Sequence, residues 1–300
     1  RLSYSGEGRA ILATTLLAVP NVSDGRDEAV LGAIGAGFAS APGVRLLTPR
    51  PHADADHDRA VFTLAGPQGA LADALLAGAH EAVARIDLAV HEGLHPHVGA
   101  IDVVPIVHLD DERQGAACAE ALVVADRLAQ ELTLPVFLYG VLGGGRTRAE
   151  LRRGGPAALA ERMRSGELTP DFGPAEPHPT AGAVLVAARP PLVAFNLELA
   201  PPATLDDARR VAALVRESGP EGLPGVRAIG LELAHRGGVA QVSTNVEDHR
   251  AVPLTALLEA VARHAPVSGA ELVGLAPRAA FDGWPEEVPV AGRATIEDAL

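Results

Sequence analysis

Residues 91–97, His-Glu-Gly-Leu-His-Pro-His, hold the densest group of side chains that could do acid–base or metal chemistry. The first five residues match the zinc-protease pattern H-E-x-x-H, in which two histidines one helical turn apart bind zinc and the glutamate acts as a base. Gly93 and Pro96 oppose the continuous helix that this geometry needs. We therefore predict no zinc site here and interpret the segment as a rigid loop that presents a histidine.

A glycine-rich stretch at residues 140–147, Gly-Val-Leu-Gly-Gly-Gly-Arg-Thr, is one residue away from a phosphate-binding loop. Arg146 stands where such a loop has a lysine, and a guanidinium is not equivalent to a compact ammonium group. Gly154, Gly155 and Pro156 follow soon after, so the helix that would place its N-terminus at the phosphates is short. The pattern favours a flexible glycine-rich loop over a nucleotide site.

Strand and helix patterns alternate on both sides of these two segments. Runs of β-branched and apolar residues predict strands, and apolar residues at helical spacing predict helices. The predicted strands span residues 11–20, 43–49, 59–65, 101–109, 135–139, 192–199, 226–234, 239–246 and 270–275, and the predicted helices span 27–40, 71–86, 118–132, 205–218 and 253–264. Residues 140–179 show no regular pattern and are rich in Gly, Pro and charge.

The order of these elements indicates the fold class. The second half of the chain has the order βαββαβ, the split-βαβ or ferredoxin-like arrangement, and the first half starts in the same order before it adds a helix and a strand. We predict an α/β (α+β) fold of two related ferredoxin-like subdomains, with mixed sheets and helices packed on one face. The predicted subdomains cover residues 1–178 and 179–300.

A polar row follows two predicted strands of the second subdomain. Gln241, Ser243 and Asn245 share one strand face, and Asn196 and Glu198 share another. Such a row could face solvent or line a cavity. Solvent is the usual outcome, although uncharged amides and a hydroxyl favour the cavity somewhat.

Composition narrows the class of protein. Hydrophobic residues make up 48% of the 300-residue chain and charged residues 21%, which is typical of a soluble globular protein. The net charge of −13, without a basic stripe or many aromatics, argues against a nucleic-acid partner. No apolar run reaches the ~18 residues of a membrane span, no secretory signal is visible, and the lone Cys118 fits a reducing compartment. We expect a cytoplasmic protein without a membrane partner.

An ordered set of short motifs resembles the formiminotransferase family. The motifs occur in the family's order, with plausible spacing, between about residues 19 and 275. They are Val19–Arg26, Asp56–Val61 followed by Thr63 and Gly66, His95–Pro105, Tyr139-Gly140, Asp171–Pro174, Ala194–Asn196 and Gln241–Asn245. No single motif is specific, but the ordered set is.

The resemblance implies a folate-dependent one-carbon transferase. The implied reaction is glutamate formiminotransfer, in which the formimino group of N-formimino-L-glutamate passes to tetrahydrofolate, the co-substrate, in histidine degradation or folate metabolism. The family fold consists of two α/β subdomains with a folate-binding tunnel between them, usually in a homodimer. No metal is expected.

The resemblance also implies the site residues. The family's catalytic histidine falls on His95, whose imidazole could take a proton from the attacking nitrogen and return one to the leaving nitrogen. The family's folate-binding segment falls, without gaps, on Gly173, Pro174, Ala175, Glu176, Pro177, His178, Pro179, Thr180, Ala181 and Gly182. Arg59 and Arg189 are candidates for pairing with substrate carboxylates, and Asp102 is a candidate for orienting His95. An ordinary exposed arginine or strand-start carboxylate is the alternative in each case.

Three positions depart from the family pattern. His97 stands where arginine is usual, Ala181 lies near a position that is often aromatic, and Asp58 replaces a common asparagine. These changes leave the histidine in place but bear on the identity of the substrate. Two alternatives therefore stay open: an ATP-dependent 5-formyltetrahydrofolate cyclo-ligase-like enzyme, and a non-catalytic dimer that binds folate or an amino acid.

Overall fold

The computed structural model describes residues 15–48 and 50–300 and has a mixed α/β architecture. Two compact units, Arg1–Pro190 and Pro191–Leu300, divide the chain. Residues 11–14 and 49, which belong to two of the predicted strands, lie outside the described residues. No helix within the described ranges is long and apolar enough to cross a membrane.

The first unit is built on one nine-stranded sheet. Its strands are β1 (Thr15–Ala18), β2 (Asn21–Val22), β3 (Arg45–Leu46), β4 (His52–Asp54), β5 (Arg59–Val61), β6 (Leu64–Pro67), β7 (Ile101–His108), β8 (Val136–Leu138) and β9 (Val184–Arg189). Its helices are α1 (Glu28–Phe38), α2 (Leu71–Arg85), α3 (Gln114–Leu132), α4 (Arg148–Arg152) and α5 (Gly155–Arg164). The sheet order is β3-β6-β1-β7-β2-β5-β4, and β9 pairs in parallel with both β7 and β8.

Strand β7 is buried along its whole length because the sheet is covered on both faces there. Val104 and Ile106 belong to the core formed with α1, α2 and α3. Val103 belongs to a second core, which includes Leu151 of α4 and Leu159 of α5. The prediction of helices on one face is therefore wrong for this unit.

Helices α4 and α5 lie in the region where the sequence pattern shows no regular element. Thr147 and Glu150 form a capping box that starts α4, and Pro156 lies in the first turn of α5. Gly154, with φ +77°, separates the two helices. Because the helices are short and interrupted by glycine, their apolar residues do not form a recognisable helical period.

Strand β9 also has no counterpart among the predicted strands. Val184–Ala188 is entirely buried, with β7 on one side and β8 on the other. The chain therefore remains in the first unit until Pro190, whereas the sequence places the division between residues 178 and 179.

The second unit contains a five-stranded sheet whose core lies on one face. Its elements are β10 (Val193–Leu199), α6 (Leu205–Val215), β11 (Val226–Leu233), β12 (Val239–Val246), α7 (Leu254–Ala262), β13 (Val267–Val273), β14 (Val290–Ala291) and α8 (Ile296–Ala299). The sheet order is β11-β12-β10-β13-β14, and only the β13–β14 pair is parallel. Phe195 and Val242 pack in one core with Val211 of α6 and Leu257 of α7. The strands and helices predicted in this half are confirmed.

Candidate active site

The loop at residues 91–97 is neither helical nor extended, as predicted. A Cβ atom added at Gly93 would lie 2.4 Å from the carbonyl oxygen of His57, so only glycine allows this close approach. The ring of His91 is fully used in holding the turn, because Nε2 donates to the carbonyl of Asp58 at 2.9 Å and Nδ1 accepts from the amide of Gly93 at 3.2 Å. Among the described residues, no group of three or more His, Cys, Asp or Glu side chains is placed to hold a metal ion.

His95 meets Arg59, the first residue of β5. Nη1 of Arg59 contacts Nε2 of His95. Because a guanidinium only donates, Nε2 must be the acceptor, and the neutral ring carries its proton on Nδ1. Burial, together with the positive charges of Arg59 and Arg152, holds the pKa of His95 well below its ordinary value of 6.5. The imidazole is therefore an unprotonated base at neutral pH.

A second histidine lies beside His95. The ring centroid of His57 is 6.2 Å from that of His95. Nδ1 of His57 and its backbone amide both lie against Oδ1 of Asp54, at 3.0 Å and 2.7 Å. Burial by itself raises the pKa of Asp54, but the hydrogen bonds from His57 overcome it and bring that pKa far below its usual range. Sequence reasoning missed this pair: His57 lies in the family's second motif, but Asp54 lies two residues before that motif begins.

Asp102 supports the loop instead of touching the imidazole. Its carboxylate is 1% exposed; Oδ1 accepts from the amide of Val98 at 2.7 Å, and Oδ2 pairs with Arg152 of α4. No contact between Asp102 and the His95 ring occurs in the described part of the chain. Asp102 therefore positions the backbone that follows His95. This role differs from both alternatives considered from the sequence, which were direct orientation of the His95 ring and an ordinary strand-start carboxylate.

The end of segment 173–182 is joined to the residues that follow His95. The amide of Ala100 donates to the carbonyl of Ala181, and the amide of Ala183 donates to the carbonyl of Val98, each at 2.9 Å. Gly182 has φ +68°, and a Cβ atom there would lie 2.2 Å from the Val98 oxygen. The structure thus places the loop that carries the candidate base and the predicted folate-binding segment side by side.

Segment 173–182 is also closed on itself. His178 and Gly182 exchange backbone hydrogen bonds at 2.8 and 2.9 Å, and Nδ1 of His178 accepts from the amide of Ala181 at 3.1 Å. Ala181 is buried in the main core of the first unit, so its side chain supports the turn from inside. A stacking surface for a flat ring is not available at this side chain.

The remaining candidates have different surroundings. In the part of the chain that the structure describes, Arg59 contacts His95 but Arg189 does not; Arg189 donates to the carbonyl of Pro190 at 2.9 Å. The ring of His97 packs 4.1 Å from that of His91, centroid to centroid. Burial lowers the pKa of His97, so this side chain does not supply the cation that the usual arginine would.

The glycine-rich loop at residues 140–147 is a turn that the side chain of Arg146 holds in place. Arg146 pairs with Asp171 at 2.5 Å, and its Nε donates to the carbonyl of Gly143 at 3.1 Å. A cleft of about 400 Å³ opens beside the loop, but Arg153 pairs there with Glu167 and Arg162 donates to backbone carbonyls. These arginines form contacts that hold the local structure together.

The polar row of the second unit contains buried side chains. Gln241 is 0% exposed, and Asn196 is also buried. Nδ2 of Asn196 and Nε2 of Gln241 both donate to Oε2 of Glu271, at 3.1 and 3.3 Å. Arg236 pairs with Glu198 at 2.5 Å and lies 3.7 Å from Glu271. The sequence pattern predicted the polar positions of Asn196 and Gln241 but not Glu271, the carboxylate that accepts from both amides.

Comparison with known proteins agrees with the motif order. The family model described as the formiminotransferase domain, N-terminal subdomain, matches residues 15–189, and the one described as the formiminotransferase domain matches residues 194–282. A glutamate formimidoyltransferase of Streptococcus pyogenes serotype M1 is 35% identical over 278 residues, which are 90% of this chain and 91% of the relative. One from Thermoplasma acidophilum is 31% identical and covers 88% of each chain.

Longer relatives match over part of their length. The formimidoyltransferase-cyclodeaminase of Gallus gallus is 36% identical over 283 residues, which are 90% of this chain but 51% of the relative. The chain thus spans about half the length of such relatives. With both family models matched in order across the two compact units, the chain belongs to the formiminotransferase family.

Proposed function

We propose that this protein is a glutamate formiminotransferase, which moves the formimino group from N-formimino-L-glutamate to tetrahydrofolate. The observation that carries the proposal is the position of His95, an unprotonated imidazole on a pinned loop that is hydrogen-bonded to segment 173–182. The match to the Streptococcus pyogenes glutamate formimidoyltransferase over 91% of that protein supports the same reaction.

His95 acts as the acid–base group in this proposal. Tetrahydrofolate supplies the attacking nitrogen. Nε2 of His95 accepts the proton that this nitrogen loses and then donates a proton to the nitrogen of the departing glutamate. The low pKa of His95 keeps the ring ready as a base and makes its protonated form a strong donor. The neighbouring charge of Arg59 maintains that low pKa.

Residues 173–182 form the folate-binding segment in this proposal. Two glycines with positive φ, Gly173 at +85° and Gly182 at +68°, limit it, and the His178–Gly182 turn stiffens it. A stiff segment loses little conformational freedom when a ligand binds. Its attachment to Val98 and Ala100 brings the ligand towards His95.

The finer fold and assembly are part of the proposal. The βαββαβ order of the second unit and its sheet order β11-β12-β10-β13 support a ferredoxin-like subdomain there. The first unit contains the same order in β1, α1, β3, β6, α2 and β7, with β2, β4, β5, β8 and β9 added. Family membership supports a cytoplasmic homodimer, and the net charge of −13 speaks against nucleic acid as a partner.

A turnover assay tests the proposed reaction. The purified chain is supplied with N-formimino-L-glutamate and tetrahydrofolate, and formimino-folate is followed with and without ATP. We expect turnover that does not depend on ATP. Conversion that requires ATP and 5-formyltetrahydrofolate, or tight folate binding without turnover of the donor, contradicts the proposal and selects one of the two alternatives.

A further inference from the structure

Arg59 is a half-buried cation that contacts another basic group. Its contact in the described part of the chain is Nε2 of His95, and no carboxylate there lies within ion-pair distance of it. Burial, together with repulsion from Arg152 and Arg148, lowers the pKa of Arg59 to about 10. A buried charge is normally paired, because its desolvation is otherwise uncompensated. The position of Arg59 therefore indicates that an anion from outside completes the site.

The surrounding charges also favour an anion. Burial and the positive charges of Arg59, Arg152 and Arg148 lower the pKa of His95, and Arg59 is in direct contact with the ring. The two carboxylates that act on Arg59 are already used: Asp102 pairs with Arg152, and Asp54 pairs with His57. Arg59 therefore lies beside the candidate base without a carboxylate partner in the described part of the chain.

We propose that Arg59 binds a substrate carboxylate, and that its guanidinium leaves Nε2 of His95 when that carboxylate arrives. The inference rests on the proposed function and adds the residue that recognises the substrate. A guanidinium forms two parallel hydrogen bonds with a carboxylate, and such charge-assisted bonds are about twice as strong as bonds to a neutral acceptor. The carboxylate should therefore displace the imidazole.

This exchange couples substrate binding to the base. Without ligand, the N–H of Arg59 occupies the lone pair on Nε2 that would have to accept a proton. With a carboxylate bound, the lone pair is released, and the added negative charge offsets the three arginines. His57, the remaining group acting on the ring, stays paired with Asp54. Binding then raises the proton affinity of His95 at the moment when the base is needed.

Two variants and a matched control test the proposal. Arg59→Gln removes both the positive charge and the paired N–H donors of the guanidinium, whereas Arg59→Lys keeps only the charge. The control, Arg85→Gln, removes an exposed arginine that pairs with Glu81 on α2. The His95 ring is titrated by NMR in the folded protein, with its signal assigned from its absence in His95→Ala. Each protein is measured alone and with saturating glutamate, p-aminobenzoylglutamate or a tetrahydropterin without a glutamyl tail.

We expect glutamate to raise the titration midpoint of His95 in the wild type and in Arg85→Gln. Its affinity should fall about 10- to 100-fold in Arg59→Gln, the range for a lost hydrogen bond between charged groups, and by less in Arg59→Lys. A response to glutamate assigns the site to the donor. A response to p-aminobenzoylglutamate alone assigns it to the folate tail. Equal responses to the tail-less pterin, or full glutamate affinity in Arg59→Gln, overturn the inference.

Turnover measured on the same proteins separates the two proposals. If the wild type turns over and Arg59→Gln retains its kcat/KM, the carboxylate role is wrong and the formiminotransferase assignment stands. If the wild type shows no turnover but its His95 responds to glutamate through Arg59, the carboxylate site stands and the assigned reaction is wrong. Arg59→Lys covers the case in which Arg59→Gln does not fold.

Discussion

Each compact unit contains a buried polar cluster, and the two clusters differ in their charge balance. The His95 cluster of the first unit consists of His95, Arg59, His57, Asp54, Asp102 and Arg152; Asp102 pairs with Arg152 and Asp54 with His57, whereas Arg59 contacts the neutral ring of His95. The Glu271 cluster of the second unit consists of Asn196, Gln241, Glu271, Glu198 and Arg236. In that cluster one guanidinium and two side-chain amides form ion pairs and hydrogen bonds with two carboxylates.

This difference fits the proposed catalytic role of the first cluster and a structural role for the second. Buried polar groups are normally satisfied within the protein, because an unpaired group keeps its full desolvation cost. In the Glu271 cluster the side-chain amides of Asn196 and Gln241 donate to a carboxylate across β10, β12 and β13, although the side-chain oxygen of Gln241 has no hydrogen-bond partner among the described residues. The His95 cluster departs from this rule at Arg59, and such departures are typical of functional sites.

Replacing His95 should have the largest effect. His95→Ala removes the acid–base group, and we expect kcat to fall about 10²- to 10⁴-fold, while folate affinity is largely kept because segment 173–182 is intact. Steady-state rates and folate titration measure the two effects. His80→Ala, on the exposed face of α2, is the control. An unchanged rate in His95→Ala removes His95 from its role and leaves the cluster without a base.

Breaking the support of the His95 loop should cost stability. Asp102→Asn leaves Arg152, whose side chain is 10% exposed, without its counter-ion, and we expect a loss of about 3–5 kcal/mol in the free energy of unfolding. Urea unfolding measures the loss. Asp73→Asn breaks the exposed pair with Arg127 and should cost about 0–1 kcal/mol. Equal losses in the two variants would show that the buried pair does not anchor the loop.

The Glu271 cluster should affect stability without changing the chemistry. Glu271→Ala leaves the buried amides of Asn196 and Gln241 without their acceptor, at a cost of about 1–3 kcal/mol for each stranded group. Thermal unfolding should show a lower midpoint, whereas the NMR titration of His95 should be unchanged. Glu247→Ala, at an exposed position directly after β12, is the control. A shifted His95 titration contradicts a purely structural role for the Glu271 cluster.

A backbone change at the folate segment should give the smallest effect. Gly182→Ala meets both an unfavourable φ of +68° and the Val98 oxygen, and we expect a loss of about 1–3 kcal/mol, together with weaker folate binding. Gly43→Ala has a similar φ of +78° with open space around it, so it isolates the conformational cost from the clash. Matching losses in unfolding and no change in folate affinity would argue against tight pairing of Gly182 with Val98.

Local patterns were sufficient for much of the fold. Helix α2 keeps its apolar residues at helical spacing, α6 begins at the capping box of Thr204 and Asp207, and β12 has the predicted bounds. These signals depend on neighbours within a few residues. Strand β9 was missed because a short apolar run that is buried on both faces carries no alternation. Helices α4 and α5 were missed because glycine and proline interrupt them.

The sequence by itself determined the family and the candidate base, since the ordered motifs and the loop with Gly93 and Pro96 are linear features. Only the tertiary structure decided what surrounds His95. Arg59 lies 36 positions away from it, and Asp102 lies 50 positions from Arg152. Contacts over such separations depend on the order of strands in the sheet and on the helices that cover it. Local composition does not encode that order, and so the charge excess at Arg59 became visible only in the folded chain.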